Sequence, residues 1–188
     1  MKAVALLVLP YLFWASQCWD VMQIGGKQAR FDRFDGICRG YKDIKIVFNY
    51  YGIRNVGNKL YMNSTIVVKE DIPDPPSLSL TMKRCRSREN LDTCEDFHSF
   101  TTKHYCKLIQ SDSELWNPFF ATIEPKWKCP IKKGTYKSIN SSFDVTAFLL
   151  FPVDEWFWRV RGDMFDGRSG KRIMCVIIEA KVIIKKKP

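Results

Sequence analysis

Apolar side chains recur at every second residue over most of this chain, a period that few structures satisfy except strands with one buried face. Ile44, Ile46, Phe48 and Tyr50 alternate with Lys45, Val47, Asn49 and Tyr51, after which Asn55-Val56-Gly57-Asn58 supplies a hairpin turn. The partner strand runs from Lys59 to Val68, with Leu60, Met62, Ile66 and Val68 on one face and Tyr61, Asn63, Thr65 and Val67 on the other. Ile72-Pro73-Asp74-Pro75-Pro76 interrupts the ladder, because a proline has no N–H to donate and fixes its own φ. Leu78, Leu80 and Met82 resume the alternation up to Cys85. Two long strands close the chain. The first carries Trp156, Trp158, Val160 and Met164 on one face, the second Met174, Val176, Ile178, Ala180, Val182 and Ile184, and Asp166-Gly167-Arg168-Ser169-Gly170 turns between them.

Two segments depart from period two. From Cys94 to Leu108, Phe97, Phe100, His104, Tyr105 and Leu108 fall at helical spacing, which predicts one short helix. Pro118, Pro125 and Pro130 punctuate the region beyond it, so Trp116 to Trp127 reads as an aromatic-rich loop. Gly25-Gly26-Lys27 lacks the glycine spacing and the Ser or Thr of a phosphate loop and reads as part of a flexible N-terminal stretch. The fold class expected is therefore all-β.

Residues 1–18 have the layout of a cleaved secretory signal: Met1-Lys2 gives the positive start, Ala3 to Trp14 the apolar run, and Ala15-Ser16-Gln17-Cys18 the small-residue exit. The run is too short to span a bilayer, and nothing after it approaches the ~20 apolar residues a membrane helix needs. Residues 19–188 are then one secreted, extracellular domain, with no internal repeat. Cleavage after Cys18 leaves Cys38, Cys85, Cys94, Cys106, Cys129 and Cys175 in a compartment where disulfides persist, which favours bridges over metal ligation or thiol chemistry, whereas cleavage after Gln17 keeps Cys18 and leaves one thiol over. An apolar content of 46% and an aromatic content of 14% exclude a disordered tail.

The formal charge of +10 is spread along the chain, with local density at Lys83 to Arg88, Lys126 to Lys133 and Lys185 to Lys187. Such a surface attracts anions in general. Trp127 is the single aromatic residue within these clusters, too few for a nucleic-acid stacking platform, so nucleic acid is not an expected partner. Asn63-Ser64-Thr65 and Asn140-Ser141-Ser142 are sequons, the first on the outward face of its strand and the second in a turn-like setting.

Signatures of catalysis are missing. There is no G-x-S-x-G, no H-E-x-x-H and no C-x-x-C, and His98 and His104 are too widely spaced for the i, i+4 pair of a zinc site. Glu95-Asp96, Asp154-Glu155 and the Asp163, Asp166 pair are carboxylates that serve equally well as solvated turn residues. The expectation is a non-enzyme without metal or cofactor.

Trp156-Phe157-Trp158 puts large side chains on both faces of one strand, which asks for a core on one side and a further apolar surface on the other. The segment Lys128-Cys129-Pro130-Ile131-Lys132-Lys133-Gly134-Thr135-Tyr136, then Asn140-Ser141-Ser142-Phe143-Asp144 and a terminal strand with Cys175, resembles the C-terminal signature of insect secreted proteins related to the ganglioside activator. These are the contact-chemosensory CheA and CheB families and their ML-type lipid-recognition relatives. Val67-Val68-Lys69-Glu70-Asp71-Ile72-Pro73 and Asp92-Thr93-Cys94-Glu95 are similar to CheA-type members, and the likeness covers the chain from Phe31 onward. Six cysteines in place of the activator's eight mean that its bridge pattern is not transferred whole.

The resemblance implies an immunoglobulin-like cup, two antiparallel sheets splayed apart around a hydrophobic cavity. It also implies a monomeric carrier or presenter of a lipid or cuticular hydrocarbon in contact pheromone or gustatory perception, with a chemosensory receptor or a membrane surface as a further partner. On that basis Leu78, Leu80, Met82, Trp156, Trp158, Val160, Val176 and Ile178 line the cavity, and Phe97, Phe100, Phe119 and Phe120 line its mouth. By sequence alone six cysteines allow 15 pairings. First and last strands are neighbours in such cups, which implies Cys38 with Cys175. The short polar spacing of Cys85 and Cys94 joins those two, and Cys106 with Cys129 remains. The competing reading is an adhesion module that binds glycans or proteins through its basic surface.

Overall fold

The computed structural model describes residues 27–41, 44–57, 59–111, 116–149 and 156–184. The leader read at residues 1–18, the Asp154-Glu155 carboxylates and the Lys185–Lys187 cluster lie outside them. Strands dominate: β1 (Lys27–Asp35), β2 (Ile46–Val56), β3 (Lys59–Val68), β4 (Ser77–Cys85), β5 (Glu95–Thr102), β6 (Ile123–Glu124), β7 (Gly134–Asp144), β8 (Phe157–Phe165) and β9 (Arg172–Ile184). They form two antiparallel sheets, one of five strands in the order β1-β9-β8-β4-β5 and one of four in the order β2-β3-β7-β6. The all-β class follows the alternation directly. Among the described residues there are three short α-helices instead of one, α1 (Tyr105–Gln110), α2 (Asn117–Phe120) and α3 (Thr146–Leu149), besides a 3₁₀ turn at Leu91–Thr93.

Burial follows the period-two pattern most closely in the centre of the four-stranded sheet. On β3, Leu60, Met62, Ser64, Ile66 and Val68 are buried while Tyr61, Asn63, Thr65 and Val67 are half-exposed. The buried set packs with Ile46 of β2, Met164 of β8 and Met174 of β9, so the core lies between the two sheets. Burying each of these side chains contributes about 1.5–3 kcal/mol. At one end the core is closed by Trp127, whose indole N–H donates to the Tyr105 hydroxyl at 2.9 Å and whose ring meets Tyr136 edge-on at 4.9 Å. Burial pushes the Tyr105 phenol pKa well above its usual value.

Three disulfides staple the sandwich, and they join the pairs expected. Cys38, just after β1, meets Cys175 of β9 at a Cα–Cα distance of 5.6 Å. Cys85 and Cys94 close the loop between β4 and β5 at 4.0 Å, and Cys106 of α1 meets Cys129 at 5.8 Å. Gly36 lies beside the first bridge, where a Cβ would run into the Phe48 carbonyl, so only glycine lets the β1–β2 connection pass this close to β2.

Several local expectations are corrected. The helix expected over Cys94 to Leu108 is a strand, β5, followed by the shorter α1. A bulge explains the misreading. Between Met82 and Lys83 the β4–β5 register shifts, so that Lys83 faces Asp96 while Met82 faces His98. The extra residue, Phe97, and Phe100 three positions later thus share a face, as they would on a helix. Lys27, expected in a flexible stretch, opens β1, which pairs with β9 from Lys27 opposite Ile184 to Asp35 opposite Ile177. Here too a bulge, between Phe31 and Arg33, breaks the alternation. Trp116 to Trp127 contains α2 and β6 in place of a plain loop. Asn140 lies inside β7, where the register against β3 slips, and takes a φ of 54° that asparagine tolerates.

Candidate functional site

The inward face of the five-stranded sheet is organised in cross-strand rows. Leu78 of β4 stands beside Met164 of β8 and Met174 of β9; Leu80 stands beside Gly162 and Val176; Met82 stands beside Val160 and Ile178. A fourth row runs from Arg84 through Trp158 to Ala180. The two outer rows hold the buried Met164, Met174 and Trp158, 1%, 7% and 2% exposed, beside the half-buried Leu78, Arg84 and Ala180. In the two middle rows only Gly162 is buried, and Leu80, Val176, Met82, Val160 and Ile178 are all half-buried. Among the described residues, Leu80, Met82 and Val160 are not packed against the buried cluster between the sheets.

The facing sheet contributes aromatics of the same intermediate burial. Phe48 and Tyr50 of β2 and Phe143 of β7 pack at the edge of the core, as does Phe31 of β1 beside Ala180. Phe34 ties the two sheets here, with its ring 4.9 Å from Tyr50 and 6.2 Å from Phe48. The polar content of this inward surface is small. Ser141 donates to the Met62 carbonyl at 2.9 Å, the Ser138 and Thr122 hydroxyls meet at 2.9 Å, and the buried Ser64 hydroxyl has no hydrogen-bond partner among the described residues. Such a surface offers area to an apolar molecule and little to orient a polar one.

The residues expected to line a cavity fall into three groups. Leu78, Leu80, Met82, Val160, Val176 and Ile178 come together on the inward rows of the five-stranded sheet. Trp158 lies at their end in a separate small cluster with Ala29, Leu149 and Val182, its ring met edge-on by Phe97 at 4.8 Å. Trp156 precedes β8 and lies beneath the Arg84 guanidinium, 4.8 Å from the ring centre. The four phenylalanines expected together at the mouth are dispersed. Phe97 and Phe100 sit on β5, 42% and 43% exposed. Phe119, by contrast, is buried, stacked on Phe143 at 4.6 Å and on Phe48 at 6.4 Å, and only Phe120 beside it is half-buried. Phe31, Phe48, Tyr50 and Phe143 pack at the edge of the core beside these rows without having been expected there. Their strands are partly readable in sequence, but which faces oppose one another depends on the sheet order.

Every described carboxylate considered for acid–base chemistry is tied to a structural partner. Glu95 pairs with Arg84 at 3.0 Å and Asp96 with Lys83 at 3.0 Å on the outer strands. Asp163 is 8% exposed and held by Arg161 at 2.8 Å and Arg172 at 2.7 Å. Arg172 also stacks on the Tyr41 ring at 4.3 Å, and the Tyr41 phenol pKa is lowered by its hydrogen bond from Arg161. This network pins the loop beside the Cys38–Cys175 bridge to the outer face of the five-stranded sheet. Asp166 accepts from the Ser169 and Arg168 backbone N–H groups at 2.8 and 3.1 Å and closes the β8–β9 turn. His98 lies on β5 and His104 precedes α1, and among the described residues no three His, Cys, Asp or Glu side chains converge to hold a metal ion.

The sequons meet on the outer surface of the four-stranded sheet. The Asn63 side-chain oxygen accepts the Asn140 backbone N–H at 2.7 Å, and the Asn140 side-chain oxygen accepts from Arg54 at 2.9 Å. Three disulfides fit an oxidising, extracellular kind of environment. Among the described residues no helix is long and apolar enough to cross a membrane. No protein-family model matches the chain, and no curated protein matches it.

Proposed function

We propose that the protein is a secreted, monomeric carrier of an apolar ligand held between its two sheets, in the manner of an immunoglobulin-like cup, and not an enzyme. One observation carries the reading: in two adjacent rows of inward-facing side chains, Leu80 with Val176 and Met82 with Val160 and Ile178 all stay half-buried, while Met164, Met174 and Trp158 in the flanking rows are buried. A sandwich that only had to pack itself would cover these side chains as it covers Met164 and Met174, because each partly exposed aliphatic side chain forfeits a part of the roughly 1.5–3 kcal/mol that full burial contributes. The likeness of the Lys128–Tyr136 and Asn140–Asp144 segments to chemosensory lipid-recognition proteins supports a lipid or cuticular hydrocarbon, presented in contact chemosensation.

The test is native mass spectrometry of the protein secreted from insect cells, followed by titration with a fluorescent fatty-acid analogue. A copurifying hydrophobic molecule, or saturable 1:1 probe binding that Phe120→Ala weakens with little loss of stability, is expected. Absence of both, together with unfolding of the Phe120→Ala protein, overturns the carrier.

A further inference from the structure

The outer face of the five-stranded sheet holds chemistry that the carrier leaves unused. The outward positions of β8 are Phe157, Arg159, Arg161 and Asp163, beside Lys83 and Cys85 of β4 and Glu179 and Lys181 of β9. The loop closed by the Cys85–Cys94 bridge forms a wall of two recesses on this face. The smaller, about 200 Å³, has Phe157 in its lining, four cations (Arg30, Arg86, Arg88 and Lys181) and two carboxylates (Asp32 and Glu89). The larger, about 560 Å³, is lined by Lys83, Arg159 and Arg161 with Asp96 and Asp163.

The cations of the two recesses are not equally committed. In the larger one Lys83 pairs with Asp96 at 3.0 Å, Arg161 with Asp163 at 2.8 Å, and Arg159 with Glu179 at 3.5 Å. In the smaller one Arg30 pairs with Asp32 at 2.9 Å, but Arg86, Arg88 and Lys181 form no ion pair among the described residues. All three are exposed, so an arriving anion displaces only water from them. Glu89 is the anion already present. Its carboxyl is held below its ordinary pKa, first by its own backbone N–H and the Ser87 hydroxyl, then by the charges of Arg88 and Lys181.

The arrangement selects a shape as well as a sign. Phe157 and Arg161 lie four residues apart on β8, which at ~3.3 Å per residue places the recesses about 13 Å apart along one strand. A recess with uncommitted cations, in line with a larger charge-balanced one, suits a linear anionic polymer better than a lone ion. Both are concave with the 86–94 loop as a wall, a form that admits a chain but not a flat bilayer. The sequons lie on the other sheet, so N-glycans there leave this face uncovered. Guanidinium groups match tetrahedral oxyanions by paired N–H donation. We infer that this face binds a linear sulfated polysaccharide, with Arg86, Arg88 and Lys181 holding a sulfate group and the chain running on along the larger recess, where Lys83, Arg159 and Arg161 stay paired with Asp96, Glu179 and Asp163.

The experiment is calorimetric titration of the secreted protein with a heparin octasaccharide at physiological salt. Replacing Arg86, Arg88 or Lys181 by alanine should weaken binding about 2- to 5-fold each, the scale of an exposed ion pair, and all three together about 10- to 100-fold. Glu89→Gln should strengthen it. A control triple replacement of Lys126, Lys128 and Lys137, exposed lysines elsewhere, removes the same charge and should change affinity less than 2-fold. Because every substituted side chain is exposed, melting temperatures should stay together, which separates lost binding from lost folding. Equal losses in the two triples would reduce the interaction to net charge. Equal binding of the desulfated octasaccharide, of an unstructured oligonucleotide or of phosphatidylserine vesicles would equally overturn the assignment.

Discussion

Gly162 offers a substitution whose sign, and not only its size, distinguishes a ligand space from a filled core. It stands on the inward face of β8 between Leu80 and Val176. A methyl group built there would lie 3.0 Å from Val176 Cγ2 and 3.3 Å from Leu80 Cδ2, tighter than ordinary van der Waals contact by a few tenths of an ångström. Both neighbours are the free ends of side chains, so the outcome depends on where they can go. In a filled core they have nowhere to turn, and overpacking of this kind costs about 1–3 kcal/mol. If they border a ligand space, they rotate into it at little cost. The alanine then recovers the roughly 0.5–1 kcal/mol by which glycine weakens a strand interior.

Gly162→Ala in the lipid-stripped protein is therefore expected to be neutral or stabilising by about 0.5 kcal/mol, measured by urea unfolding with the disulfides intact. Ligand capacity should fall, because the displaced side chains occupy the same space. Leu60→Ala provides the internal scale, since Leu60 is 3% exposed within the closed part of the core. That change should cost about 2–5 kcal/mol. If Gly162→Ala also costs more than about 1 kcal/mol, on the overpacking scale, the rows at Leu80 and Val176 are packed and the reasoning fails.

The disulfides should rank by the chain they close. Replacing Cys38 and Cys175 together by alanine, at a sequence separation of 137, should cost about 5 kcal/mol by chain entropy, against about 3 for Cys85 and Cys94 at a separation of 9. The reverse order in non-reducing urea unfolding would contradict that account. Asp166 should carry part of the acid sensitivity. The Ser169 backbone N–H first, then the Ser169 hydroxyl, the Arg168 N–H and Lys45, lower its native pKa. A carboxyl lowered in this way contributes stability that is complete above its ordinary pKa of about 4 and is lost as pH falls through the lower native value. Asp166→Asn should flatten the stability profile in that acid window and lower stability near neutrality by the amount that the acid limb loses. An acid limb identical to that of the unmodified protein would remove the turn from the explanation.

The sequence reports the fold well where a strand is paired on both sides and buried on one face. β3 is the example: it lies between β2 and β7, and each of its inward positions is buried. Nothing there disturbs the period. The inward rows of β4, β8 and β9 are legible for the same reason, which is why Leu80, Met82, Val160, Val176 and Ile178 could be grouped from alternation together with the family likeness. Their opposite wall could not. That Phe48 and Tyr50 approach the same space depends on Gly36 letting the chain cross from one sheet to the other, and no local pattern encodes that crossing.

The edges of the five-stranded sheet show where period fails as a guide. β5 is exposed along nearly its whole length, so burial imposes no alternation on its sequence, and one bulge suffices to place Phe97 and Phe100 on one face at a helical spacing. On β1 the bulge between Phe31 and Arg33 likewise sets Phe31 and Phe34 inward three residues apart. A bulge inserts one residue, and one residue is enough to invert the parity of everything beyond it. The basic recess has a different cause of invisibility. Arg30, Arg86, Arg88 and Lys181 come from three separated segments, and only the pairing of β1 with β9 and the closure of the Cys85–Cys94 loop bring them together. The clustering of lysine and arginine from Lys83 to Arg88 is plain in the sequence, but two of its members, Lys83 and Arg84, are neutralised by Asp96 and Glu95. The charge that remains available at the smaller recess is set by which of its neighbours found a carboxylate, a property of the folded sheet and not of the run.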